Sequence, residues 1–143
     1  MERRPATDVF HDWAVRGKDE GMERGHALSV AEMVEFISVK SEHRGTNFSA
    51  IDVGCGNGWV VRILGDNPLC QQAVGIDGAK AMIDKAKSID SENQYICARL
   101  PEHSPKSKFD YIHSMEFLYY LDEPEQMLQV FHDNWLEEGG WAV

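Results

Sequence analysis

The chain has 143 residues, enough for one domain with a real hydrophobic core. A formal charge of −10 argues against a nucleic-acid backbone as the main partner, because a phosphate-binding face needs clustered Lys and Arg. With 43% hydrophobic and 27% charged residues the chain is not disordered, and no apolar run reaches membrane-spanning length, so a cytoplasmic protein with no membrane partner is expected.

Thr7 or Asp8 can cap a short helix with Val9 and Trp13 on one face. Arg16-Gly17-Lys18-Asp19-Glu20-Gly21 then interrupts it. Ser29-Val-Ala-Glu32 is a capping box, and Val30, Met33, Val34 and Ile37 follow at helical spacing. Residues 41–47 form a polar connection. Ile51 and Val53 belong to a β-branched apolar run that breaks at Gly54-Cys-Gly-Asn-Gly58, after which Trp59, Val60, Ile63 and Leu64 return to helical spacing. Gly65-Asp66-Asn67-Pro68 stops that helix.

Gln72–Ile76 reads as a second strand ending at Asp77-Gly78. A helix from about Ala79 to Ser88 follows, with Ala81, Met82, Ala86 and Ile89 inward. Tyr95–Ala98 and Phe109–His113 read as the third and fourth strands. Pro124 opens a helix running through Trp135, Glu138-Gly139-Gly140 ends it, and Trp141–Val143 begins a fifth strand. Alternation of strands and helices predicts right-handed βαβ units and a parallel sheet covered on both faces.

The glycine-rich turn after the first strand is where an open α/β sheet binds ligands. Its pattern is GxGxG with Asp52 two residues before. A dinucleotide-binding GxGxxG would need glycine at position 59, which is Trp59, and no Gly-Lys-Ser/Thr follows to make a phosphate-cradling loop. Cys55, Cys70 and Cys97 are odd in number and widely separated. With His11, His43, His103, His113 and His132 they show no shared metal-ligand spacing, so no metal is expected.

Taken in order, Asp52-Val-Gly-Cys-Gly-Asn-Gly58, Gly75-Ile-Asp77, Phe109-Asp-Tyr-Ile-His-Ser114 and Leu136-Glu-Glu-Gly139-Gly140 resemble the motifs of class I S-adenosylmethionine-dependent methyltransferases. The resemblance covers about residues 48–143. It implies a Rossmann-like sheet of order 3-2-1-4-5 whose C-terminal strands 6 and 7 are absent, preceded by a helical lid or cap at 1–47. It implies S-adenosylmethionine as cofactor, its methionine end on Asp52, Gly54, Cys55, Gly56, Asn57 and Gly58, with Asp52 facing the ammonium directly or through water. Asp77 would accept both ribose hydroxyls, or serve only to cap the helix after it. Gly78 and Met82 would lie against adenine and ribose, and Ser114 beneath the sulfonium. Many relatives carry an adenine-binding Asp on the third strand; here backbone groups of Cys97, Ala98 or Arg99 would replace it.

On the acceptor side, Glu116 and Tyr119 are the catalytic candidates, with Tyr120 beside them, while the tyrosines also read as packing aromatics. The leader containing Trp13, Arg16, Met22 and His26 resembles that of some small-molecule methyltransferases, which would bring Arg16 to the cofactor's carboxylate. Residues 8–28, punctuated by glycines, would form a mobile lid. The expected function is methyl transfer to a small-molecule acceptor, or alternatively non-catalytic cofactor or partner binding. An open edge at the fifth strand would allow a homodimer.

Overall fold

Phe48–Val53 forms β1, the centre of a five-stranded parallel sheet. The computed structural model describes residues 4–143. Cys70–Asp77 (β2) and Phe109–His113 (β4) flank β1, Gln94–Cys97 (β3) lies outside β2, and Leu136–Ala142 (β5) lies outside β4, in the order β3-β2-β1-β4-β5. Strand side chains alternate between faces, so each strand feeds two cores.

On one face Phe48, Ala50 and Tyr111 pack with three helices: Asp19–Arg44 (α2), Trp59–Gly65 (α3) and Lys80–Ile89 (α4). Val30 and Ile37 of α2 are fully buried there, and Ser41 of α2 donates its hydroxyl to Tyr111 Oη at 3.2 Å. The other face buries Ile51, Val53, Ile76 and Ile112 under Pro124–Val130 (α5) and the wider π-type turn Phe131–Trp135 that follows it. Burying a residue such as Ile or Phe contributes about 1.5–3 kcal/mol, which holds the two layers onto the sheet.

The helical leader differs from its expected course. Ala6–Arg16 (α1) ends at Gly17, whose left-handed φ of 70° permits the reversal, but the chain resumes as helix at Asp19 and runs unbroken for 26 residues. Gly21 and Gly25 are interior residues of α2 with open space around them. Each costs about 1 kcal/mol against Ala, too little to break a helix anchored at both ends. At the other end, Glu138-Gly139-Gly140 does not stop a helix but bulges within β5, where Phe109 pairs with Leu136 and Tyr111 with Trp141. Gly139 takes φ 72°, and the Arg44 guanidinium donates to its carbonyl. In α4 the inward residues are Met82, Ile83 and Ala86, while Ile89 is exposed. Among the described residues no helix is long and apolar enough to cross a membrane.

Candidate functional site

β1 and β2 end side by side, with Val53 opposite Ile76, and the chain turns sharply as it leaves β1. The N–H groups of Gly54 and Cys55 both donate to the carbonyl of Ile76, at 2.8 and 3.1 Å. A side chain at Gly58 (φ 80°) would run into the Tyr95 ring at 2.5 Å, whereas at Gly56 (φ 53°) it would meet only Met82 Sδ at 4.0 Å. Gly58 is therefore required by packing beneath the loop. Gly56 leaves room above it.

Asp77, at the end of β2, closes this turn. Its two carboxylate oxygens accept the N–H of Gly56 at 2.9 Å and of Ala79 at 2.8 Å. Burial pushes its carboxyl up from the ordinary range, the two backbone donors oppose that, and the nearby Asp52 adds to the rise. The helix-capping role and the loop-bracing role thus coexist in one side chain.

Asn57 is buried and donates to Asp19 Oδ2 at 2.9 Å, while Lys85 Nζ of α4 meets the same carboxylate at 2.8 Å. Asp19 is 5% exposed, so the start of α2, the glycine loop and α4 converge on one buried charge. Cys55 lies under the loop. Gly75 makes room for it, because a Cβ there would stand 2.7 Å from Sγ, and burial raises the thiol's pKa well above its ordinary value. Across the sheet His113 Nδ1 lies 2.7 Å from Asp52 Oδ1, both side chains buried.

These groups wall a cavity roofed by α1, the start of α2 and the segment after β4. Asp19, Asp52, Asp77 and Glu116 contribute carboxylates and His26 and His113 imidazoles; among the described residues no Lys or Arg lines it. Its apolar walls include Phe10, Met22, Trp59 and Met115. Glu116 has the left-handed φ of 57°, a conformation that costs a non-glycine residue about 1–3 kcal/mol and is concentrated at functional sites.

Of the residues expected at the cofactor, Asp52, Gly54, Cys55, Gly56 and Asn57 line the cavity, as do Asp77, Gly78 and Met82. Arg16 does not: it ends α1 in solvent, just before the Gly17 turn. Ser114 turns its hydroxyl to the Val53 carbonyl at 3.2 Å instead of to the cavity. Arg99 donates to Thr7 Oγ1 at 3.2 Å, and Thr7 also lies against Gly78, so α1 covers the side where Ala98 and Arg99 stand. Gly58, at the end of the loop, faces Tyr95 and does not line the cavity. Glu116 and Tyr120 reach the wall, while Tyr119 is 62% exposed and donates to Glu116 Oε2 at 2.5 Å.

Asp19 and His113 are the residues that sequence reasoning missed. Asp19 sits in what reads as a polar joint, and no signal marks it as buried. For His113 the signal is topological: once β1 and β4 are neighbours, Asp52 and His113 can fall opposite one another, as they do.

A family model described as "Methyltransferase domain" matches residues 22–143. The chain belongs to that family. No similar curated protein was found. The complex between the Haloferax volcanii Trm112 methyltransferase activator and a methyltransferase is similar at 25% identity and TM-score 0.70, over 99% of this chain and 60% of that one. The DhpI–SAH complex matches at TM-score 0.73 and 15% identity, over 95% of this chain and 64% of that one. An S-adenosylmethionine-dependent methyltransferase from Clostridium acetobutylicum matches at TM-score 0.71 and 18% identity, over 90% and 56%. This member of the methyltransferase-domain family therefore spans less than two thirds of the length of these structures, and the latter two establish a shared methyltransferase fold.

Proposed function

We propose that the chain binds S-adenosylmethionine in this cleft and transfers its methyl group to a small-molecule acceptor. The observation that carries the reading is the pairing of an open Gly56 with a doubly braced Asp77 inside a cavity that, among the described residues, is lined by four carboxylates and no Lys or Arg. The cofactor carries a sulfonium and an ammonium against one carboxylate, so its net charge suits such a lining. Each Asp77 oxygen retains a second lone pair after accepting its backbone N–H, which leaves room for both ribose hydroxyls. Gly78 and Met82 flank that position, and the adenine extends toward Ala98 and Arg99.

When bound, the cofactor supplies a methyl group already activated by its sulfonium. What remains for the chain is to position the acceptor and keep water out. Phe10, Met115 and Phe117 provide an apolar enclosure, and Glu116 offers the acceptor side a carboxylate held in place by Tyr119. The bond to Glu116, followed by the contact with Tyr120, pushes the Tyr119 phenol far up, so Tyr119 acts as a donor that steadies Glu116 and not as a base. Calorimetric titration with S-adenosylmethionine, S-adenosylhomocysteine and NAD tests the binding, with the first two expected to bind and NAD not. Turnover against a panel of small acceptors tests the transfer.

A second reading, cofactor binding in concert with another protein chain, draws support from the likeness to the Haloferax volcanii complex. Among the described residues β5 pairs only with β4, and its other edge is where a partner strand or a second copy would add. Sedimentation of the chain alone, beside turnover with and without candidate partners, separates the two readings.

A further inference from the structure

We infer that His113 is a cofactor-binding residue, its Nε2–H donating to the carboxylate of the amino-acid end while the free oxygen of Asp52 accepts from the ammonium. The inference rests on the reading of the cleft as the S-adenosylmethionine site. Asp52 and His113 are register partners on adjacent parallel strands, so their side chains rise from the same face of the sheet. Nδ1–H donates to Asp52 Oδ1 at 2.7 Å, which fixes the ring's orientation and directs Nε2 away from Asp52.

Among the described residues Nε2 has no partner, although the side chain is 0% exposed. The other buried side-chain polar atoms without partners among the described residues are His103 Nε2 and Trp135 Nε1, and neither of those residues lines the cavity. His113 does. An unpaired polar atom in a cavity wall is costly until a ligand group pairs with it.

The cofactor's carboxylate needs a donor, and the cavity supplies few. No Lys or Arg lines it among the described residues, Arg16 stands in solvent, and the Asn57 amide is committed to Asp19. A His113 ring carrying protons on both nitrogens, its Nδ1–H held by the Asp52 carboxylate, would donate its Nε2–H to the cofactor's carboxylate, and with Asp52 it presents a matched pair to a zwitterion.

Decarboxylated S-adenosylmethionine keeps the sulfonium and ammonium but lacks the carboxylate. An acidic lining alone would favour this more cationic analogue. The inference requires the opposite: by calorimetry the protein should bind S-adenosylmethionine about ten- to a hundredfold more tightly than the decarboxylated form. In His113→Asn, whose amide can still bond Asp52, the preference should shrink to about threefold or less. A variant that keeps the full preference, or a natural chain that has none, overturns the inference, whereas failure of the natural chain to bind either compound overturns the cofactor reading itself. A second measurement needs no substitution. The nitrogen resonance of His113 Nε2 should move on adding S-adenosylhomocysteine and stay in place on adding 5′-methylthioadenosine, which lacks the amino-acid end; equal responses would also overturn it.

Discussion

The backbone N–H of Gly56 donates to the carboxylate of Asp77 across 2.9 Å, tying the loop after β1 to the end of β2. One side chain therefore shapes the loop and faces the proposed ribose position. The two roles can be separated by substitution.

Asp77→Ala removes the acceptor for both Gly56 and Ala79 and should weaken S-adenosylhomocysteine binding about ten- to a hundredfold. Asp77→Asn keeps a carbonyl for one of those N–H groups and should lose less. Calorimetry on folded variants decides, and an unchanged dissociation constant for Asp77→Ala would remove the ribose assignment.

The two ends of the loop should respond in opposite ways to an added side chain. Gly58→Ala places a methyl group against Tyr95 at 2.5 Å in a left-handed residue, so its damage should appear in urea unfolding. At Gly56 the space is open, and Gly56→Ala should cost about 1–2 kcal/mol of backbone strain while its main effect falls on cofactor affinity. Gly56→Val should weaken binding further. Tight binding by Gly56→Val would mean that the loop is structural only.

Asp19→Ala leaves Asn57 without this partner and leaves Lys85 only the longer contact to exposed Glu20, at 3.5 Å. Breaking a fully buried pair costs about 3–5 kcal/mol, but Lys85 is 25% exposed and water can take over part of its charge, so about 2 kcal/mol is expected. Chemical denaturation would read this directly. A loss below about 0.5 kcal/mol, the range of an ordinary surface substitution, would show that the convergence on Asp19 is incidental.

Asp90 gives the protein an acid-sensitive joint. Burial works against its charge, but donors from Tyr95, Asn93 and the Glu92 backbone together hold its carboxyl down at about 2. A folded-state value below the unfolded one of about 3.9 contributes stability that is present above that unfolded value and is lost as pH falls through the folded one. Unfolding midpoints should therefore decline between about pH 4 and pH 2, and Asp90→Asn should flatten part of that decline. Superimposable acid limbs for the two proteins would exclude this contribution.

Helix α1 has no fully buried residue, yet Thr7 and Phe10 roof the cavity and Arg99 bonds to Thr7. The mobile part of the leader should therefore be Ala6–Arg16 turning at Gly17, and not the continuous helix after it. Amide exchange should slow in α1 on adding S-adenosylhomocysteine and change little in the buried half of α2. Equal exchange in α1 with and without ligand would remove it from the binding step.

The strand order, the loop and its acid were legible because each leaves a local mark: an alternating apolar run, a glycine repeat, a carboxylate at a strand end. The course of the leader was not. Gly17, Gly21 and Gly25 look alike in sequence, but only Gly17 adopts a left-handed turn, and the other two lie in a helix anchored by remote contacts, Asp19 to Asn57 and Lys85 at its start and the buried Val30 and Ile37 farther on. Gly139 and Gly140 read as a helix stop because a bulge in a strand uses the same residues as a turn. His113 was passed over since 61 residues separate it from Asp52, and only strand register brings them together.

The absence of Lys and Arg from the cavity lining among the described residues bears on the order of events in the proposed methyl transfer. Methyl transfer turns a sulfonium into a neutral thioether, so an acidic enclosure that attracts the incoming reactant loses that hold once the bond has moved. Stabilising a charge that is already fading in the transition state helps capture more than chemistry, and the rate constant for the transfer gains nothing from it. In the proposed transfer the benefit would fall at the end, where the spent molecule carries one positive charge fewer than the reactant and loses that share of the attraction.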